Sequence, residues 1–214
     1  CHDEKALAEK RAELQDAVQL QYFLQYQFDR QWKALRSYAG KKGIRIIGDV
    51  PIYVPLDSAD VWTNPEQFWL DEKLDPVAVA GCPPDAFTAD GQLWGNPLYR
   101  WDFHRATGYE WWVTRMWHSF KLYDVVRIDH FRGFDEYFSI PADKGHAKYG
   151  HWEKGPGMEL FRTIHARLGD VNVIAEDLGL MTDGVRKLVK DSGYPNMKVL
   201  QFAVDPADIA CSND

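Results

Sequence analysis

Residues 123–134, Tyr-Asp-Val-Val-Arg-Ile-Asp-His-Phe-Arg-Gly-Phe, join a β-branched apolar run to an acid and then to a glycine. Such a run is typical of a buried strand, and the glycine indicates where the strand has ended. Residues 171–179, Val-Asn-Val-Ile-Ala-Glu-Asp-Leu-Gly, follow the same plan. The pattern places Asp129 and Glu176 at the C-terminal edge of a parallel sheet, where α/β enzymes and barrels hold their active sites.

The two acids are expected to have different catalytic roles. Retaining cleavage of a glycosidic bond requires at least two carboxyl groups that face one cleft. We interpret Asp129 as the candidate nucleophile, because Arg127 lies two residues earlier on the same strand face and can hold it ionised. Glu176 is the candidate general acid, protonated before attack, and later the base. From the residues alone, a structural Arg–Asp pair and a helix-capping glutamate remain open alternatives.

Further periodic segments surround these two strands. Asp3 to about Tyr38 contains no glycine or proline and is rich in good helix formers, which predicts one or two helices ending at Gly40 or Gly43. We predict further strands at residues 44–54 and 197–204, and further helices at residues 108–122, 157–168 and 182–190. Apolar strands that alternate with helices are typical of an α/β layer fold with a parallel sheet.

Two stretches lack such periodicity. Residues 55–101 and the segment after Phe134 are rich in glycine and proline, and we interpret both as long loops. Long loops in compact proteins are usually functional or disordered. The many aromatic residues in 55–101 favour an ordered functional loop, although most of the aromatic residues in the chain are expected to lie in the core.

Composition limits the possible partners and compartment. The 214 residues are 45% hydrophobic and 27% charged, which indicates a globular protein. The net charge of −7 disfavours nucleic acid and anionic membranes as partners. No apolar run approaches the roughly 20 residues of a membrane helix. The polar start of the sequence does not resemble a signal peptide, and a cytoplasmic location is expected.

Cysteine and histidine spacing gives no metal or disulfide signature. The three cysteines are widely separated, which indicates neither a disulfide framework nor a zinc site. His146 and His151 lie in a glycine-rich loop without a suitable acid, so we expect surface residues and no metal. No nucleotide-binding glycine motif is present, and the expected chemistry needs no cofactor.

Four motifs resemble those of the 4-α-glucanotransferases known as amylomaltase or disproportionating enzyme, glycoside hydrolase family 77 of the α-amylase superfamily. Ile47-Gly-Asp-Val-Pro-Ile-Tyr-Val54 is similar to the family signature at the third barrel strand. Arg127-Ile-Asp-His-Phe-Arg-Gly133 and Ala175-Glu-Asp-Leu-Gly179 are similar to those at the fourth and fifth strands. Pro83-Pro-Asp-Ala-Phe87 with Gly91-Gln-Leu-Trp-Gly-Asn-Pro-Leu-Tyr99 resembles the distinctive active-site loop.

The resemblance implies a retaining transferase that moves α-1,4-glucan segments between maltooligosaccharides. It implies that Asp129 is the nucleophile and Glu176 the general acid and base. The substrate-binding residues that it implies are Arg127, Asp49, His130, Tyr53, Asp85, Trp94, Asn96 and Phe202. Asp49 could almost as readily support a turn, while His130 and Phe202 could equally be packed in the core.

The resemblance also implies an architecture. We expect residues 1–214 to form a single, incomplete portion of a (β/α)8 barrel, covering the third to sixth strands, with an inserted loop region at about 55–101. The seventh-strand signature, which carries the third carboxylate of the family, would lie outside this portion. Two alternatives therefore stay open, a catalytically incomplete glucan-binding portion and an α-amylase-type hydrolase. An unrelated barrel enzyme acting on phosphorylated metabolites is disfavoured by the acidic charge and the missing phosphate loop.

Overall fold

The computed structural model of the protein describes residues 3–84, 88–179 and 181–200. These residues fall into two compact units that divide after Ile46. The first unit contains α1 (Glu4–Glu13) and α2 (Gln15–Lys41), as the helix-forming composition predicts. The Asp3 carboxylate caps α1 by accepting from the backbone N–H of Ala6 at 2.8 Å.

The second unit contains a three-stranded parallel sheet in the order β1 (Ile47–Val50), β4 (Val125–Ile128) and β7 (Val173–Ala175). These three strands confirm three of the predicted ones, although β1 is shorter than the predicted 44–54. Helices α5 (Glu110–Leu122) and α6 (Met158–Leu168) precede β4 and β7. This alternation confirms the α/β class, and neighbouring parallel strands require such crossovers.

Beyond β7 the chain continues into α7 (Asp183–Ser192). Thr182 caps this helix by accepting from the backbone N–H of Val185 at 3.3 Å. The chain then returns to the sheet, where Asn196 forms an isolated parallel bridge with Ala175. Of the predicted strand 197–204, residues 197–200 are described and are not in a strand, while the rest lies outside the described residues.

A second, antiparallel sheet corrects the prediction of two long loops. Its order is β3 (Gln92–Pro97), β2 (Ala78–Cys82), β5 (Glu136–Pro141) and β6 (His151–Lys154). The interpretation of both regions as loops was wrong because these strands are short and contain or adjoin glycine and proline, which normally indicate turns. The short helix α3 (Ala59–Thr63) also lies in the region predicted as a loop, and α4 (Trp101–Ala106) begins at the last residue of that region.

Large aromatic side chains dominate the main core, as the composition predicts. The largest fully buried ones are Trp112, Tyr99, Tyr109, Phe68, Phe131, Phe134 and Phe161. Alternation along β4 sends Val126 and Ile128 into this core, while Arg127 points to the opposite face. Throughout the ranges that the structure describes, no helix combines the length and apolarity needed to cross a membrane.

Candidate active site

Strand register brings the two predicted catalytic acids to one edge of the parallel sheet. Ile128 pairs with both Val50 and Ala175, and Asp129 and Glu176 directly follow the paired positions. The backbone N–H of Asp129 donates to Val50 at 3.0 Å, and that of Glu176 donates to Ile128 at 3.0 Å. The ladder therefore continues up to both acids, which fixes where their side chains leave the sheet.

Arg127 connects the candidate nucleophile to the neighbouring strand. Its Nη2 donates to Asp129 Oδ1 at 2.8 Å, and its Nη1 donates to Asp49 Oδ1 at 2.6 Å. Burial alone would lower the pKa of Arg127, but hydrogen bonds and charge attraction from Asp49 and Asp129 outweigh it and raise the pKa. Asp129 stays 42% exposed, so its carboxylate is both paired and accessible.

Two backbone donors orient the carboxyl group of Glu176. Oε2 accepts from the backbone N–H of His130 at 2.8 Å, and Oε1 accepts from that of Leu178 at 2.8 Å. The neighbouring Asp177 is buried and accepts from Asn196 Nδ2 at 2.8 Å. The two adjacent acids therefore differ, since Glu176 is held at the sheet edge and Asp177 anchors the segment that follows α7.

His130 lies between the two acids in an unusual backbone conformation. Its φ of 51° is in the left-handed region, which is uncommon for residues other than glycine. Its ring packs edge-on against Trp94, with centroids 4.9 Å apart. Burial, helped by the nearby positive charge of Arg132, lowers the pKa of His130 to about 4. The imidazole is therefore neutral near pH 7 and suited to uncharged hydroxyl groups.

Five of the residues predicted to form the site surround one cavity of about 170 Å³, together with Pro51 and Ile52. They are Tyr53, Trp94, Asn96, Asp129 and His130. The rings of Tyr53 and Trp94 lie 6.2 Å apart. Burial raises the pKa of Tyr53, so its phenol remains neutral. Aromatic faces beside neutral polar groups are the chemistry that sugar rings require.

A larger cavity of about 1130 Å³ lies beside α7. Its lining runs from Asp177 to Leu200 and includes neither Asp129 nor the aromatic pair. Size alone would favour this cavity, but the smaller one contains the candidate nucleophile. We therefore place the candidate site at the smaller cavity, since chemistry and not volume identifies an active site.

The remaining predicted site residues have different outcomes. Arg127 and Asp49 lie at the sheet edge and contact each other. Neither of them lines the cavity, and Glu176 does not line it either. Asp85 and Phe202 lie outside the described residues. Within the described ranges, no group of three or more histidine, cysteine or acidic side chains could hold a metal ion.

Two residues contact the site without having been identified from the sequence. Gln92 Oε1 accepts from Trp94 Nε1 at 2.9 Å and thereby orients the indole. Met197 Sδ accepts from Arg127 Nε at 3.1 Å. The alternation of β3 could have placed Gln92 beside Trp94, because i and i+2 residues share a strand face. No local pattern indicates Met197, which is distant from Arg127 in sequence.

Comparison with known proteins adds a family assignment to this geometry. The family model described as 4-alpha-glucanotransferase matches residues 1–213. The chain is 53% identical over 192 residues to a 4-alpha-glucanotransferase of Clostridium butyricum, covering 89% of this chain and 39% of the relative. It is 51% identical over 203 residues to that of Thermus thermophilus, covering 95% and 41%.

Solved structures show the same likeness. An amylomaltase from Streptococcus agalactiae in complex with acarbose matches with a TM-score of 0.92 at 47% identity, covering 94% of this chain and 41% of that one. An amylomaltase from Corynebacterium glutamicum matches with a TM-score of 0.73 at 25% identity, covering 86% and 26%. The chain thus spans about two fifths of the length of the curated relatives described above.

Proposed function

The chain belongs to the 4-alpha-glucanotransferase family, and from that premise we propose that the protein transfers α-1,4-glucan segments between maltooligosaccharides by retaining double displacement. Asp129 attacks the anomeric carbon while Glu176 donates its proton to the departing glycosidic oxygen. A covalent glycosyl-enzyme and a free glucan end result. Glu176 then removes the proton from the 4-hydroxyl of an acceptor, which attacks the same carbon and releases Asp129.

One observation carries this proposal: Asp129 and Glu176 occupy one sheet edge and are linked through the backbone of His130. Arg127 Nη2 donates to Asp129 at 2.8 Å, the distance of a direct ion pair. The backbone donors of His130 and Leu178 hold the Glu176 carboxyl in one orientation. Pre-oriented acids of this kind lower the barrier because little reorganisation is needed during the reaction.

The substrate class follows from the groups around the cavity. We assign Tyr53, Trp94, Asn96 and His130 to contacts with glucose units, and Arg127 and Asp49 to the subsite beside the nucleophile. Asp85 and Phe202 are assigned to the same role on the strength of the motif resemblance. The acarbose complex of the Streptococcus agalactiae amylomaltase supports α-1,4-linked glucans as ligands of this family. Acceptor sugars would displace water at the aromatic wall formed by Tyr53 and Trp94 and so favour transfer over hydrolysis.

We further propose that residues 1–214 form a single, incomplete portion of a (β/α)8 barrel, its third to sixth strands, with residues 55–101 as the inserted active-site region. Parallel neighbours in chain order with helical crossovers support this assignment. The parallel bridge between Ala175 and Asn196 indicates where the next strand would begin. A cytoplasmic location and chemistry without a cofactor complete the proposal.

The experiment is product analysis after incubation with maltotriose. Transfer predicts glucose together with oligomers longer than three units, and both should disappear in Asp129→Asn and Glu176→Gln. Asp143→Asn, an equivalent change at an exposed acid, should leave the products unchanged. Glucose and maltose without longer products would contradict transfer and indicate an α-amylase-type hydrolase.

A second candidate function rests on the partial coverage of the relatives. A chain that spans about two fifths of their length could bind glucan without turning it over. Acarbose binding that is lost in Trp94→Ala, combined with no products from maltotriose, would favour this alternative over the transferase.

A further inference from the structure

The guanidinium group of Arg127 has a partner on every nitrogen. Nη1 donates to Asp49 on β1, and Nη2 donates to Asp129 at the end of β4. Nε donates to the thioether sulfur of Met197 at 3.1 Å. The three partners come from three different segments, and the Arg127 side chain is only 25% exposed. Its plane is therefore fixed on all sides and cannot rotate without losing a contact.

Met197 is itself held by the sheet. Its backbone N–H donates to Asp177 Oδ1 at 3.3 Å, and the preceding Asn196 donates to Oδ2 of the same acid at 2.8 Å. Pro195 accepts from the backbone N–H of Ala175 at 2.9 Å. The backbone of Met197 is therefore fixed, and its flexible side chain places the sulfur against Nε of Arg127.

A thioether suits this position because it is neutral. A carboxylate on Nε would also hold the guanidinium, but it would add negative charge at the edge that carries Asp49 and Asp129. It would also compete with Asp129 for the positive charge of Arg127. The sulfur is a weak acceptor that occupies the third side of the group and leaves its charge to the two acids.

We propose that Met197 is a positioning residue for the transfer reaction, holding Arg127 so that its Nη2 stays on the nucleophile Asp129. The role rests on the proposed function of Asp129. Met197 acts through Arg127, and its loss lets the guanidinium turn away from Asp129. The rate of glycosyl-enzyme formation then falls, while contacts with the substrate are retained.

The first test detects the contact between Arg127 and Met197 and does not require catalytic turnover. The chain has four methionines, so methyl-13C labelling gives four NMR signals, which single leucine substitutions assign. Arg127→Lys removes the Nε donor and is expected to shift the Met197 methyl signal strongly. Met158, which packs on the core from α6, serves as the internal control and should not move. An unchanged Met197 signal in Arg127→Lys would overturn the proposal.

The second test separates positioning from folding. Met197→Leu keeps the side-chain volume and removes the sulfur. We expect kcat to fall about fivefold with little change in KM, because a fivefold change corresponds to the loss of one weak hydrogen bond. Met158→Leu should change neither quantity.

Two outcomes of the second test would overturn the proposal: an unchanged kcat in Met197→Leu, or an equal loss of kcat in Met158→Leu. A failure of the proposed function would give a different result from a failure of the Met197 proposal. The unsubstituted protein would then give no transfer products, while the NMR test would still decide whether Met197 holds Arg127.

Discussion

His130 contacts both the candidate acid and the aromatic wall, and it directly follows the candidate nucleophile in the chain. It directly follows Asp129, donates its backbone N–H to Glu176, and packs its ring against Trp94. Its backbone has a left-handed φ of 51°. The backbone and the ring thus contribute separately, which substitutions can distinguish.

We predict that His130→Gly is more stable than His130→Ala. Glycine adopts a positive φ without steric cost, whereas alanine there costs about 1 kcal/mol or more. Both variants lose the ring contact with Trp94, and both keep the backbone N–H that faces Glu176. Thermal unfolding measures the difference. Equal melting temperatures, or a more stable alanine variant, would contradict the conformation described for residue 130.

His104 provides a pH-dependent contribution to stability. It is completely buried, and its Nε2 lies 3.2 Å from the carbonyl oxygen of Gln67, to which it donates as the neutral tautomer. Burial lowers the pKa of His104 from 6.5 to about 4. The unfolded chain therefore binds more protons between these values, and stability is lost as the pH falls from 6.5 towards 4.

We predict that this loss is smaller in His104→Phe. Phenylalanine retains the ring contacts, and the Gln67 carbonyl still accepts from the backbone N–H of Arg100 at 2.9 Å. Between pH 6.5 and 4 the unsubstituted protein should lose up to about 3 kcal/mol more unfolding free energy than the variant. Denaturant unfolding at the two pH values measures this, and parallel losses in both proteins would refute the assignment.

At the element scale, the parallel strands were predictable and the antiparallel sheet was not. Strands β4 and β7 are β-branched runs that end at an acid and a glycine, and parallel register then brings Asp129 and Glu176 together. Strands β2 and β3, by contrast, contain Gly81 and Pro97, and glycine and proline normally indicate a loop. The Arg127–Met197 contact depends on how the segment after α7 returns to the sheet, which no local pattern specifies.

Gly81 is required by close packing in the second sheet. A Cβ at this position would collide with the Gln92 carbonyl on β3 and lie 2.5 Å from Ile140 Cδ1 on β5. We predict that Gly81→Ala lowers the unfolding free energy by about 1–3 kcal/mol and displaces the strand that carries Trp94.

Gly40 gives the matched control for that change. It lies in α2 with open space around its Cα, so Gly40→Ala should be neutral or stabilise the helix by about 0.5–1 kcal/mol. Thermal unfolding and tryptophan fluorescence compare the two variants. A Gly81→Ala protein with unchanged stability and fluorescence would contradict the described pairing of β2 and β3.

At the scale of the whole molecule, the described strands give the geometry of one sheet edge and the family gives its chemistry. The chain spans about two fifths of the length of the matched relatives. What the chain supplies is the pair of acids, the arginine that links β1 to β4, and the aromatic wall beside them. The assignment of Asp129 as the nucleophile is the claim on which the mechanism depends.

Covalent trapping tests that claim most directly. The Glu176→Gln variant is reacted with α-maltotriosyl fluoride, whose fluoride leaves without a general acid, and the product is digested and mapped by mass spectrometry. We predict a maltotriosyl adduct on the peptide that contains Asp129, and none in the double variant that also carries Asp129→Asn. An adduct on another acid, or no adduct at all, would contradict the assignment of Asp129 as the nucleophile.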